Sequence, residues 1–117
     1  MKIVVLKFGG TSVGTIEKIK KVSRIIGEFR KKKYKVIVVS SAMSGVTNEL
    51  VKKSRLISEN FSENEYDVLV ASGEQMACSL IAGRLINNGF KSRSWLGWQL
   101  PISVSYTHLT LPTNREV

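Results

Sequence analysis

Two glycines that follow a short apolar run and a lysine form the first candidate site in the sequence. Lys7 lies near the end of the run, and Gly9 and Gly10 come directly after it. In open α/β sheets, ligands bind beyond the carboxyl ends of the strands, and glycines there let backbone N–H groups approach an anion closely. A helix that begins just after such a turn points its positive end at the same place. Together with the charge of Lys7, this arrangement suits a polyphosphate, and above all a phosphoryl group in transfer.

The spacing of these glycines excludes two common nucleotide-binding patterns. A Walker A loop needs G-x-x-x-x-G-K-[ST], and the dinucleotide-binding fingerprint needs G-x-G-x-x-G. Gly9, Gly10 and Gly14 match neither. The residues alone therefore leave two interpretations equally open, a phosphate site and a tight turn with a solvated lysine.

Two further polar segments could contribute to a site. Residues 40–47 (SSAMSGVT) follow a second apolar run, and their hydroxyls and amides could bind a phosphate or a carboxylate. The alternative, which these residues alone favour, is a polar turn that caps a helix. Residues 71–75 (ASGEQ) interrupt an apolar helical stretch. Without further information, Glu74 is more simply an exposed helix residue.

The apolar pattern predicts the elements that position these segments. Continuous apolar runs over Ile3–Phe8 and residues 36–39 are typical of parallel strands buried on both faces. From Thr15 onward an apolar residue recurs at every third or fourth position, which predicts a helix. Its apolar stripe consists of Ile16, Ile19, Val22, Ile26 and Phe29.

The rest of the chain continues the alternation of helix and strand. The pattern predicts a second helix over roughly residues 47–57, followed by a third from an N-cap at Asn64 to about Asn88, with a break or kink at Gly73. A third strand is predicted over residues 90–96. This order of elements indicates an α/β fold with a parallel sheet.

Length and composition limit the class of protein. With 117 residues, 43% of them hydrophobic, the chain is one domain at most and can form a core. Its apolar runs are far shorter than the ~20 residues of a membrane span, and the first run is too short for a secretory signal. The single cysteine, Cys78, excludes an internal disulfide and fits a reducing compartment. We therefore expect a cytoplasmic protein without a membrane partner.

A net charge of +9 raises the alternative of a nucleic-acid-binding module. The positive residues concentrate in residues 18–35 and 52–55, mainly on and just after the first predicted helix. No aromatic residues interleave with them as a single-strand binder would require. A solvated helix face is the favoured interpretation, and nucleic-acid binding is the weaker alternative.

Three segments resemble motifs of one family. Residues 7–13 (KFGGTSV) resemble the opening signature of aspartate kinases in the amino-acid kinase family. Residues 41–47 resemble the S-A-M-x-x-x-T segment of these enzymes, and residues 72–74 resemble their S/A-G-E motif. The resemblance covers about residues 1–102 and implies a three-layer αβα sandwich that is truncated here. The wider family shares only the lysine and the glycines, so a glutamate, acetylglutamate, carbamate or uridylate kinase is the alternative.

The resemblance also implies an activity. The intact enzyme would transfer the γ-phosphoryl group of ATP to the side-chain carboxylate of L-aspartate, the first step of lysine, threonine and methionine biosynthesis. Lys7 would be catalytic, and Mg²⁺ would bridge phosphates with no protein ligand assigned. The residues implied for ATP and its phosphates are Lys7, Phe8, Gly9, Gly10, Ser12 and Ser41. Thr47 and Glu74 would bind the aspartate, and Glu74 would pair with its ammonium group.

The extent of the resemblance indicates a piece of a longer enzyme. Family members continue well beyond this length, with the rest of the aspartate site and the adenine pocket, and the intact enzyme is expected to be a homo-oligomer. Residues 104–117 resemble the translation of a sequencing adaptor, so we assign only residues 1–103 to the kinase domain. His108 lies in this tail and receives no role. Because the sheet would be cut in the middle of the domain, we expect an unpaired edge and exposed apolar faces, and a 117-residue chain that is insoluble or inactive by itself.

Overall fold

A computed structural model describes residues 2–100 of the chain, apart from the side chain of Trp98. The predicted tail from residue 104 and His108 lie outside these residues. The elements, in chain order, are β1 (Ile3–Phe8), α1 (Ile16–Lys31), β2 (Lys35–Ser40), α2 (Val46–Ile57), α3 (Glu63–Asn87) and a short 3-10 turn at Gly97–Gln99. No helix within residues 2–100 combines the length and the apolar character needed to cross a membrane.

The two strands form a parallel sheet. Their register runs from Ile3 opposite Lys35 to Phe8 opposite Ser40, so both strands end at the same edge. Helix α1 connects them, as a parallel pair requires. The predicted α/β class with a parallel sheet is confirmed.

One face of the sheet is covered by α1 and α3. The buried core includes Ile19, Val22 and Ile26 of the predicted α1 stripe, together with Ile81 and Leu85 of α3. The residues that pack against this core from the sheet and its flanks are Leu6, Phe8, Val36, Val38, Met43 and Phe90. Burial of this apolar surface is the main force that holds the helices on the sheet.

The opposite face of the sheet is not covered by any described element. Every second residue of both strands points to this side, and Ile3, Val5, Ile37 and Val39 are between 47% and 63% exposed. The strands are therefore not buried on both faces within residues 2–100, and the expected exposure of an apolar face is confirmed. In this part of the chain, two layers of an αβα arrangement are present: the sheet and the helices on one face. Strands that are apolar on both faces are buried completely only when a third layer, of helices, covers the other face.

The predicted third strand is absent from the described residues. Residues 90–96 make no ladder with β2 and have no regular structure. The first of them is held against α1: a Cβ atom at Gly27 would lie 3.0 Å from Cε2 of Phe90, so that ring rests directly on the α1 backbone. Residues 91–95 then run past β2 across a cleft of about 650 Å³. Propensity favoured a strand, but a strand forms only where its backbone groups reach a partner.

Two predictions for α3 are also wrong. The helix begins one residue before Asn64, because Ser62 is the N-cap and its hydroxyl accepts a hydrogen bond from the Glu65 amide. The helix is continuous through Gly73, which is buried within it. The predicted end is confirmed: α3 stops at Asn87, and Gly89 adopts a φ of 93° that suits glycine after a helix.

Candidate active site

The glycine loop (residues 9–15) links β1 to α1 and is held from within. Val13 is fully buried and anchors the loop to the core. The Ser12 amide donates to the Gly9 carbonyl at 3.0 Å, which closes a tight turn. Thr15 caps α1, because its Oγ1 accepts a hydrogen bond from the Lys18 amide at 3.2 Å. The positive end of α1 therefore lies beside the loop.

Several amides of the glycine loop are available to a ligand. Within residues 2–100, the hydrogen bonds of this region use the amides of Ser12 and Gly14 as donors, but not those of Gly9, Gly10 and Thr11. A Cβ atom at Gly9 would meet nothing within 4 Å, so the tip of the loop is open. Backbone donors in an open loop at a helix N-terminus are suited to bind an anion.

The serine loop (residues 41–45) follows β2 and packs directly on the glycine loop. The Ser41 amide continues the ladder by donating to the Phe8 carbonyl at 3.0 Å. The Ser44 amide donates to the Gly10 carbonyl at 3.2 Å. A Cβ atom at Gly10 would lie 3.0 Å from the carbonyl oxygen of Ala42, so the two backbones touch where the side chain is missing.

The third motif, residues 71–75, lies in α3 and contacts the serine loop. Gly73 is buried, and a Cβ atom there would lie 3.0 Å from Cγ1 of Val46, 3.2 Å from Cβ of Ala42 and 3.3 Å from Cδ1 of Leu50. This contact brings α3 against the serine loop and the first turns of α2. The predicted break in the helix is instead a point of close helix packing, which glycine permits because it has no side chain.

The environment of Cys78 locates the charge of Glu74. Burial raises the pKa of the Cys78 thiol, the negative charge of Glu74 raises it further, and a hydrogen bond from the Ser40 backbone opposes both effects. Cys78 lies one helical turn after Glu74 on α3. The Glu74 carboxylate is therefore close enough to Cys78, and so to the end of β2, to act on a thiol there.

The structure brings some of the predicted site residues together and separates others. Gly10 and Ser41 lie in loops that touch each other, and Thr47 is exposed in the first turn of α2, directly after the serine loop. Lys7 is exposed and shares the uncovered face with Val5, because side chains alternate along β1. Glu74 is exposed, as the simpler interpretation of this residue expected, and it belongs to α3, which packs on the covered side of the sheet. Lys7 and Glu74 thus approach the carboxyl edge of the sheet from opposite faces.

The remaining predicted residues have simpler positions. Phe8 is half-buried and packs on the core, so only its backbone faces the glycine loop. Ser12 is exposed, with its amide used inside the loop.

Sequence reasoning missed the importance of Ala42. Its carbonyl oxygen faces Gly10 and its methyl group faces Gly73, so one small residue contacts all three motifs. The only signal available in the sequence was a small apolar residue inside an otherwise polar segment.

Comparison with known proteins agrees with this architecture. Residues 2–115 match the model of the amino acid kinase family. The aspartokinase of Rickettsia felis is 46% identical over 111 residues, which are 92% of this chain and 28% of that protein. The aspartokinase of Geobacillus stearothermophilus is 44% identical over 108 residues, 92% of this chain and 26% of the relative. The crystal structure of aspartate kinase from Synechocystis superposes with a TM-score of 0.71 at 39% identity, over 75% of this chain and 15% of that one.

The chain belongs to the amino acid kinase family, since the family model matches nearly all of it. The three similar proteins are aspartokinases by name, in line with the resemblance of the motifs. The chain spans about a quarter of the length of the two relatives.

Proposed function

We propose that residues 2–100 are the amino-terminal part of the catalytic domain of an aspartate kinase, which transfers the γ-phosphoryl group of ATP to the side-chain carboxylate of L-aspartate. The observation that carries this proposal is the meeting of three motifs through Gly10, Ala42 and Gly73. An open loop of backbone donors and a carboxylate-bearing helix thereby lie at one edge of the sheet. The aspartokinases that match this chain over 92% of its length support the choice of substrate.

The phosphate side of the reaction belongs to the glycine loop. A carboxylate oxygen of aspartate attacks the γ-phosphorus, the bond from that phosphorus to the oxygen bridging to the β-phosphate breaks, and ADP and 4-phospho-L-aspartate form. The Lys7 ammonium group and the amides of Gly9 and Gly10 stabilise the charge of the transferring group. Ser12 and Ser41 contribute hydroxyls to the phosphates. Mg²⁺ would arrive with the nucleotide and neutralise negative charge on its phosphates, and we assign it no protein ligand.

The aspartate side of the reaction belongs to Thr47 and Glu74. Glu74 pairs with the α-ammonium group, and Thr47 donates its hydroxyl to a carboxylate. Thr47 lies on the first turn of α2 and Glu74 in the middle of α3, so a substrate that contacts both would lie beside the serine loop. A substrate held there would direct its side-chain carboxylate toward the phosphate in the glycine loop.

The proposal is tested with a full-length aspartokinase that carries residues 2–100 of this chain. We expect Lys7→Ala to lower aspartate-dependent ATP consumption by roughly 10²–10³-fold, because it removes a mobile positive charge that stabilises the transferring phosphoryl group. Lys21→Ala, on the exposed face of α1, is the matched control and should retain the activity. Activity of Lys7→Ala near the parent level would show that the assignment of this lysine is wrong.

The choice of aspartate is tested separately. The same full-length enzyme is offered aspartate, glutamate, acetylglutamate and UMP side by side. Preference for aspartate supports the roles of Thr47 and Glu74, and preference for any other acceptor would indicate another kinase of the family.

Further expectations belong to the same proposal. The intact enzyme is a cytoplasmic homo-oligomer, and it acts at the start of lysine, threonine and methionine biosynthesis. The 117-residue chain by itself is inactive, because it lacks the segments that complete the aspartate and adenine pockets. Residues 104–117 are foreign to the enzyme, although the family model matches as far as residue 115. Sequencing of the parent gene past codon 103 checks this.

Nucleic-acid binding has weaker support. The basic cluster at residues 30–33 lies at the carboxyl end of α1, about 24 Å along the helix from the glycine loop. Part of the charge on this helix is offset by surface ion pairs of Lys20 with Glu17 and of Lys31 with Glu28, each at 3.6 Å.

A further inference from the structure

We propose that Gly10, Ala42 and Gly73 form a steric spacer that sets the distance between the glycine loop and Glu74, and that Gly73 is thereby a positioning residue for the aspartate substrate. The inference rests on the proposed function, because it assumes that phosphate binds at the glycine loop and aspartate at Glu74. It adds a role for two residues, Ala42 and Gly73, that touch neither substrate in that proposal.

The first contact of the spacer joins the two loops. A Cβ atom at Gly10 would lie 3.0 Å from the Ala42 carbonyl oxygen and 3.8 Å from the Ser44 amide nitrogen. These are backbone atoms, which cannot rotate away as the end of a side chain can. The hydrogen bond from the Ser44 amide to the Gly10 carbonyl, at 3.2 Å, holds the loops at this separation.

The second contact joins the serine loop to α3. A Cβ atom at Gly73 would lie 3.0–3.3 Å from side-chain carbons of Val46, Ala42 and Leu50. Ordinary contact between carbon atoms is ~3.5–4.0 Å, so a methyl group at this position would fit only if its neighbours moved by a few tenths of an ångström. Ala42 is itself buried, and its methyl group fills the space that Gly73 leaves.

Glycines on the same elements are not all closely packed. A Cβ atom at Gly83, ten residues further along α3, would meet nothing within 4 Å, and neither would one at Gly9 in the glycine loop. Close contact also occurs at Gly14 and Gly27, but Gly73 is the crowded glycine that immediately precedes Glu74.

The geometry has a consequence for catalysis. Because α3 is continuous through Gly73, moving that residue away from Ala42 also moves Glu74 away from the serine loop. ATP binding at the glycine loop would change little, since Ala42 contacts Gly10 through its carbonyl group and not through its methyl group. A defect at Gly73 should therefore weaken aspartate binding and leave ATP binding intact.

The experiment compares steady-state kinetics of variants in a full-length aspartokinase that carries residues 2–100 of this chain. Gly73→Ala requires a displacement of a few tenths of an ångström. We expect it to raise the KM for aspartate by roughly 5- to 20-fold, with the KM for ATP within about twofold of the parent. Gly83→Ala is the matched control on the same helix, and we expect both KM values to be unchanged.

A second substitution tests the steric cause. Val46→Ala removes Cγ1, the atom nearest to the new methyl group, so the double variant Gly73→Ala with Val46→Ala should recover most of the affinity for aspartate. Ala42→Gly avoids any clash and removes only the methyl group that faces Gly73. It should raise the KM for aspartate by roughly 2- to 5-fold, which keeps the proposal testable if Gly73→Ala does not fold.

The possible outcomes are distinct. An aspartate-specific rise in KM that Val46→Ala reverses supports the spacer. Unchanged kinetics in Gly73→Ala would overturn the spacer. A fall in kcat with both KM values unchanged would also overturn it, because that result means only that a smaller fraction of the variant is folded. If Gly73→Ala does not fold, an unchanged aspartate KM in Ala42→Gly would overturn it as well. A parent enzyme that ignores aspartate would overturn the proposed function and this inference with it.

Discussion

The two faces of the sheet differ in what covers them, although the same two strands build both. On the covered face, Leu6 and Val38 pack against α1 and α3 and belong to the core. On the opposite face, Val5 and Ile37 remain more than half exposed. The sequence of the strands does not separate these residues by type, since both faces are apolar.

This difference shows how the candidate site is built. The glycine loop, the serine loop and α3 are fixed relative to one another by contacts on the covered side, at Val13, Ala42 and Gly73. The Lys7 side chain, by contrast, lies on the uncovered face. The covered side of the site is therefore supported by packing within residues 2–100, whereas no described element packs against the face that carries Lys7.

The largest expected difference between the two faces is in the free energy of unfolding that each contributes. Ile26 is 2% exposed in the core, and Ile37 is 53% exposed on the other face. We expect Ile26→Ala to cost ~2–5 kcal/mol in the free energy of unfolding, because it leaves a cavity, and Ile37→Ala to cost less than about 1 kcal/mol. Urea unfolding of the 117-residue chain, followed by far-ultraviolet circular dichroism, measures both. Equal losses would mean that the uncovered face is buried in solution.

A smaller effect is expected on solubility. Ile37→Lys places a charge in the middle of the exposed apolar face and should increase the soluble fraction of the expressed 117-residue chain. Ile16→Lys is the matched control, since Ile16 is 52% exposed but lies on α1, away from this face. A similar gain from both substitutions would contradict a special role for the sheet face.

The smallest effect concerns the covered side of the site. The charge of Glu74 contributes to the raised pKa of Cys78, so Glu74→Gln should lower that pKa and increase the thiolate fraction at a given pH. Because burial is the larger cause, the pKa should remain raised in the variant. The pH dependence of iodoacetamide labelling reports it directly, since Cys78 is the single cysteine of the chain.

Glu63→Gln provides the control for this measurement, because Glu63 lies in the first turn of α3, about 22 Å along the helix from Cys78. A labelling profile that does not change in Glu74→Gln would place the carboxylate away from the end of β2.

Prediction from the sequence succeeded where the signal is local. Apolar periodicity gave the positions of β1, α1, β2 and α2 within one or two residues. The end of α3 was also predictable, because Gly89 follows it and glycine readily adopts the positive φ found there. The motifs were identifiable as strings of residues at strand ends.

Prediction failed where the outcome depends on a partner distant in sequence. Residues 90–96 have the composition of a strand but make no ladder, because a strand is completed by hydrogen bonds to a neighbour. Gly73 predicted a break in α3, because glycine has a low helix propensity and the sequence shows only such local properties. Its contacts with Ala42, Val46 and Leu50 are not local, and they account for the glycine without any kink.

The sequence by itself determined the order of strands and helices and the chemical groups at the site: a lysine, backbone amides, hydroxyls and one carboxylate. Side-chain type and spacing are sufficient for that, because they act over one or two turns of chain. Only the tertiary structure decided which strand face is covered, that Lys7 and Glu74 approach from opposite sides, and that Ala42 contacts both glycines. These features depend on shape and close packing between distant segments, which residue order alone does not specify.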